Sequence, residues 1–288
     1  MKKVMIRYGE GPTAGNGHRV RMQRLCKALM QRGAVVDIKP ANFVEILDSV
    51  KRHPVDVLVM DVPTNDNREL EAFRPHVAKL VVVVGIGHTV DTETSWMADI
   101  VVYQNGRDMP DLFFPVPAPG ATMLSGVDYL MVDPRSASWR QPELGTSVLS
   151  YFGAGFPVGY AAIFASELGR LLPEVTHLAS GDGAWQHDWA RQAASARLVV
   201  ASMGMAVSEA VAVCTPVVTV SVDEEHAADA DALSNLVPYL YHAGTLPTPE
   251  ALAGIAAEQH GWSKPRYRFL DVPIDGLGVY RVARVLLE

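Results

Sequence analysis

The sequence predicts an α/β protein of two doubly wound, Rossmann-like domains, and three observations carry that expectation. Short β-branched runs alternate with helix-length amphipathic stretches along the whole chain. The runs are continuously apolar, as in the VVVV of residues 81–84, which is how strands read when both faces of a parallel sheet are covered. The chain of 288 residues, 49% of them hydrophobic, is long enough for two cores at ~150 residues per domain.

In the first half the pattern predicts strands at Val4–Arg7, Val35–Ile38, Val55–Met60, Leu80–Val84 and Ile100–Tyr103. Helices are expected at Arg19–Arg32, Phe43–Lys51 and Glu69–His76. A Pro-rich, less regular stretch from Met109 to Pro142 follows, and its end is the expected linker. This sets the expected domains at 1–140 and 141–288. The second half restarts with strands at Ser147–Phe152, Val175–Ala179, Leu198–Ala201 and Pro216–Val222. Its helices are Gly159–Leu172, Trp185–Ala194, Val207–Val213, Ala227–Leu236, Thr248–Ala257 and Gly278–Leu287.

Charge and cysteine usage narrow the function classes. A net charge of −7 without a Lys/Arg stripe argues against nucleic acid as the partner, although helix N-termini can still take a small anion. Cys26 and Cys214 lie far apart among apolar residues, as buried free thiols of a reducing compartment do. The longest apolar run, Leu80–Ile86, is far below the ~20 residues of a membrane helix, and the N-terminus has no signal-like core. The expectation is a cytoplasmic protein without membrane insertion. His88, His187, His226 and His260 lack metal-ligand spacing, so neither metal nor cofactor is expected.

Three segments can carry chemistry. GEGPTAGNGHRVR, residues 9–21, joins the first strand to the first helix; its glycines, Gly15 and Gly17 among them, allow close backbone approach to an anion. It reads equally as a flexible turn whose His18 caps the helix. SYFGAGFPVG, residues 150–159, repeats the strand, glycine turn, helix order with Gly153, Gly155 and Gly159, either as a loose dinucleotide fingerprint or as a chance match. In residues 201–233, Gly204 ends a strand and Glu209 falls in the next helix. A carboxylate there can accept from ribose hydroxyls or simply complement the helix dipole. The run Asp223-Glu224-Glu225-His226 reads as a solvated loop rather than a hard-cation site.

These segments, in this order, resemble the nucleotide-sugar hydrolase of pseudaminic acid biosynthesis and the related spore-coat polysaccharide synthesis proteins, short relatives of a GT-B glycosyltransferase. The resemblance rests on G-x-G-H-x-x-R at Gly15, Gly17, His18 and Arg21, on Gln104-Asn105, and on Gly126, Tyr129 and Pro134-Arg135. It continues through Gly204, Glu209 and Pro216 to IDGLGVYR at Ile274–Arg281, with Asp275, Gly276, Gly278 and Arg281. It implies a GT-B fold whose last helix, 278–287, packs back on the N-terminal domain. It also implies a UDP-sugar-like ligand, with catalysis at His18 and Glu209 on the ribose. Gly15, Gly17, Arg21, Gln104, Asn105, Gly153, Gly204, Glu225 and His226 are the remaining candidate substrate contacts.

The chain departs from the family where Arg7 is followed by Tyr8 and Gly9 rather than by x-Asp. Met203 replaces the first of two glycines, Met205 and Ala206 a Ser-Thr, Glu225 and His226 an Asn-Gln, and Cys214-Thr215 a glycine before proline. The expected function is hydrolysis of a nucleotide sugar for surface-glycan synthesis. The alternatives are a glycosyltransferase using such a donor, or a non-catalytic protein that binds one. A third reading, a dinucleotide-binding oxidoreductase using the Gly153 loop, is disfavoured because this chain lacks an acidic residue at the end of the second strand of that half, where ribose recognition is expected.

Overall fold

The computed structural model describes residues 1–9, 17–40, 42–62, 64–65, 67–85, 89–90, 97–104, 119–141, 143, 145–153, 155–179, 188–261 and 272–288. They form two compact units: Met1–Met131 with Leu277–Glu288, and Val132–Gly276.

The first unit opens with β1 (Lys3–Tyr8), α1 (Gly17–Gln31), β2 (Val35–Lys39), α2 (Phe43–Arg52) and β3 (Val55–Asp61). A two-residue strand β4 (Thr64–Asn65), α3 (Asn67–Phe73), β5 (Val77–Gly85), a second two-residue strand β6 (Thr89–Val90), β7 (Ile100–Gln104) and β8 (Thr122–Leu124) follow. Among the described residues the main sheet is parallel, in the order β2-β1-β3-β5-β7-β8. The chain runs from β1 outward to β2, then returns to the other side of β1 as β3. That reversal makes the β1/β3 gap the switch point, where ligands of open α/β sheets bind beyond the strand C-termini. β8 lies in the stretch expected to be irregular, so the sheet is one strand wider than the sequence pattern predicts.

Strand alternation divides the core between the two sheet faces. Val4, Ile6, Val57 and Val59 pack with Met22, Leu25 and Leu29 of α1. Met5, Leu58 and Met60 pack on the opposite face with Ile46, Val50, Leu70 and Phe73 of α2 and α3. Each such side chain, fully withdrawn from water, contributes ~1.5–3 kcal/mol. Asn42 starts α2 by accepting the Glu45 amide, and Lys51 and Arg52 occupy its last turn.

The second unit comprises α4 (Ser136–Trp139), β9 (Val148–Tyr151), α5 (Tyr160–Leu171), β10 (His177–Ala179), α6 (Trp189–Ala194) and β11 (Leu198–Ser202). It continues through α7 (Met205–Ala212), β12 (Val217–Ser221), α8 (Glu224–Leu236), β13 (Leu240–Thr245) and α9 (Pro249–His260). Its sheet, again parallel, has the order β10-β9-β11-β12-β13, the same winding with its switch point at β9/β11. Val148, Val200, Val218 and Val220 pack beneath Phe164 and Leu168 of α5 and Leu252 and Ala256 of α9.

The chain enters the second unit at Val132, ahead of the linker expected near residue 140, and α4 packs on α6 and α7 of that unit. It returns at Leu277, and the last helix, α10 (Gly278–Leu287), lies against α1. Gly278 is required there by proximity: a Cβ would stand 2.3 Å from the Leu130 carbonyl oxygen. Val279, Val282, Ala283 and Leu286 then bury the apolar face of α10 in the first unit's core.

Candidate active site

Two strand ends meet at the first switch point. Tyr8 is in register with Asp61, and the Gly9 amide donates to the Asp61 carbonyl at 2.7 Å. Helix α1 begins at Gly17, so His18 is its second residue and Arg21 follows three positions later, on the same helix face. Both side chains reach the Asp61 carboxylate at the end of β3. His18 Nδ1 stands 2.6 Å from Asp61 Oδ1. Arg21 grips the same group bidentately, with Nε 2.6 Å from Oδ2 and Nη2 2.5 Å from Oδ1.

Asp61 is fully buried, and His18 and Arg21 are nearly so. Burial alone would push the Asp61 carboxyl up; the Arg21 guanidinium and the His18 ring outweigh it and hold the carboxyl well below the usual carboxylate range. Asp61 is therefore ionised at neutral pH, and an ionised carboxylate accepts only. His18 must donate through Nδ1–H, which leaves Nε2 as its basic nitrogen. The Arg21 Nη2 atom also lies 3.0 Å from His18 Nδ1, but with Nδ1 carrying its proton toward Asp61 the two nitrogens are both donors and share that carboxylate. The arrangement is a histidine of fixed tautomer, oriented by a carboxylate, at a sheet edge suited to ligands.

Asp61 was not among the residues the sequence singled out. Its signal is the acidic residue ending an otherwise Val-rich strand, VDVLVMD, where an unpaired carboxylate would be costly. Arg7, on the alternate face of β1, pairs instead with Glu69 of α3 at 2.5 Å.

The second switch point gathers the donor-side candidates. The Gly153 amide, just after β9, donates to Ser202 Oγ at the end of β11 at 3.0 Å. Gly204 follows and starts α7 with φ 146° and ψ −155°, a conformation nearly confined to glycine. Glu209 lies in mid-helix in α7, fully buried. Its charge helps to raise the Arg135 guanidinium, though the Asp133 hydrogen bond contributes more.

Other candidates have structural employment. Gln104 spends its amide on the backbone, donating to the Tyr129 carbonyl and accepting from the Met131 amide, both at 2.9 Å. Glu225 and His226 occupy the first turn of α8, not a solvated loop. Asp223 caps that helix, accepting from the His226 amide at 2.9 Å and holding its ring nitrogen at 2.6 Å. Gly15, Asn105, His88 and His187 lie outside the described residues. Cys26 and Cys214 are free thiols; Cys26 is only half-buried, and burial pushes both thiols up.

A Ser–His–Asp series also occurs: Ser221 Oγ to His242 Nε2 at 2.9 Å and His242 Nδ1 to Asp231 at 2.7 Å. Ser221 is fully buried, and the series ties β12, β13 and α8 together. Among the described residues no cluster of three or more His, Cys, Asp or Glu could hold a metal ion. No helix there is long and apolar enough to cross a membrane.

No protein-family model and no curated protein sequence matches the chain. Solved structures do. The glycosyltransferase of kitacinnamycin is similar over 99% of this chain and 98% of its own, with 13% identity and a TM-score of 0.63. Acinetobacter baumannii MurG is similar over 100% and 99%, with 13% identity and a TM-score of 0.60. Arabidopsis thaliana UGT89C1, complexed with UDP-L-rhamnose, is similar over 99% and 94%, with 13% identity and a TM-score of 0.56. Identity this low speaks to architecture alone, and the chain has the GT-B fold of these glycosyltransferases.

Proposed function

We propose that the chain is an enzyme acting on a nucleotide sugar, transferring the glycosyl group to a hydroxyl acceptor with His18 as general base. The observation that carries this reading is the buried His18–Asp61 contact at the β1/β3 switch point. In the proposed step the acceptor proton passes to His18 Nε2 as the acceptor oxygen bonds the anomeric carbon. The bond from that carbon to the phosphate oxygen breaks, and the nucleotide leaves with the electron pair. Asp61 keeps the ring oriented and stabilises the imidazolium that forms. Gly153 and Gly204, beyond the ends of β9 and β11, and Glu209 in α7 are proposed to hold the nucleotide.

Hydrolysis is the second reading, with water in place of the acceptor; the ordered signature from Gly15 to Arg281 favours it. Nucleotide release from UDP-, dTDP-, GDP- and CMP-sugars, measured with and without hydroxylic acceptors, separates the two. Release that requires an acceptor supports transfer, and release without one supports hydrolysis. His18→Ala should lower either rate ~10²–10⁴-fold. Unchanged turnover in that variant removes the proposal. Binding without turnover of any of these sugars by the native chain would leave a ligand-holding role in its place.

A further inference from the structure

We infer that Arg21 is a positioning residue that sets the proton affinity of His18 through Asp61, rather than a contact for the substrate. This rests on the reading of His18 as the base. The Arg21 guanidinium commits Nε and Nη2 to Asp61, and its side chain is only 9% exposed. A carboxylate alone beside an imidazole favours the protonated ring; a carboxylate already neutralised by a guanidinium does so far less. Arg21 and Asp61 together therefore present His18 with a nearly neutral partner that still fixes the tautomer.

Charged groups on neighbouring elements have partners of their own. On α10, Arg281 donates to the Asp128 carbonyl and Arg284 pairs with Glu288. On β2, Lys39 pairs with Asp37. Arg7 of β1 and Glu69 of α3 meet on the opposite sheet face. Arg24, on α1 itself, donates to the Met131 carbonyl. Asp61 and Arg21 both contact the His18 ring at Nδ1.

The test is an imidazole ¹⁵N NMR titration of the full chain without substrate, comparing wild type, Arg21→Gln, Arg21→Lys and Asp61→Asn. Arg21→Gln should raise the proton affinity of the His18–Asp61 pair at least tenfold, one pH unit or more. Asp61→Asn leaves an uncompensated guanidinium and should shift His18 by a similar factor in the opposite direction. Arg21→Lys keeps the charge and should titrate near wild type. A midpoint in either Arg21→Gln or Asp61→Asn that coincides with wild type overturns the inference, as does an Nε2–H tautomer in the wild type. Should Arg21→Gln not fold, Asp61→Asn and Arg21→Lys still decide by the opposed shift. The readout needs no turnover, so failure of the proposed activity, read from His18→Ala, is a separate result.

Discussion

His18 and Asp61 meet at 2.6 Å although 43 residues separate them in the chain. The parallel sheet makes the meeting: β1 and β3 are neighbours, and the helix leaving β1 begins beside the end of β3. A carboxylate in this position is tolerable only with its partners, which makes the site part of the fold's stability as well as of its chemistry.

Asp61→Asn should therefore cost ~3–5 kcal/mol at pH 7, because it leaves Arg21 buried without its counter-charge. The pH dependence has a definite sign. A carboxyl held below its unfolded value of ~3.9 contributes stability above that pH and loses it as pH falls toward the folded value. Urea unfolding at pH 7, 5 and 3.5 should show the wild type declining below pH ~4 and the gap to the variant narrowing. Two parallel stability curves would show that Asp61 is not ionised and paired as described.

The fold was far more legible than the site. Val-rich runs located β1, β3, β5, β11 and β12 to within a few residues, because strands covered on both faces keep continuous apolar stretches at their centres. β13 was missed: its LYHAGT carries a histidine and a glycine and no apolar run, since an edge strand is half-solvated. β8, only TML, is too short to show a period. At the site, His18 and Arg21 were visible through the spacing of G-x-G-H-x-x-R. Asp61 was not, because its meaning depends on which strand lies beside β1, and strand order is not written locally. Gln104 looked like a ligand contact in its Gln-Asn pair, yet it brackets the Tyr129–Met131 backbone, a distant partner that no local pattern names.

Gly204→Ala should destabilise by ~1–3 kcal/mol. The cause is conformational rather than steric, since nothing lies within 4 Å of where the Cβ would stand. Thermal or urea unfolding measures it. A variant as stable as wild type would show that the chain relaxes out of this conformation at no cost.

Glu209→Gln preserves volume and removes a buried charge. If Glu209 holds a ribose as proposed, its charge-assisted hydrogen bonds contribute ~1.5–3 kcal/mol, and UDP should bind about tenfold more weakly or worse. Calorimetric titration of both proteins reads the change. Equal affinity with lowered stability would place Glu209 in the charge arrangement around Arg135 and remove it from the ligand site.

Cys214 follows the end of α7 with φ 64°, left-handed backbone that glycine adopts freely. Its amide donates to the Val211 carbonyl at 2.9 Å and the Thr215 amide to the Ala210 carbonyl at 3.0 Å, the paired closure of a Schellman motif. Every other side chain at this position carries a Cβ penalty of ~1–2 kcal/mol. Truncation of the buried thiol group costs the same packing in Cys214→Ala and, to first order, in Cys214→Gly. The alanine variant keeps the strain and the glycine variant releases it, while glycine also has more unfolded-chain entropy to lose, worth roughly 0.5–1 kcal/mol. The glycine variant should come out at least as stable as the alanine variant, by up to ~1 kcal/mol, reversing the order expected inside a helix. Urea midpoints of the two proteins decide the matter: an alanine variant clearly more stable than the glycine variant would mean that Cys214 does not sit in the left-handed region in solution.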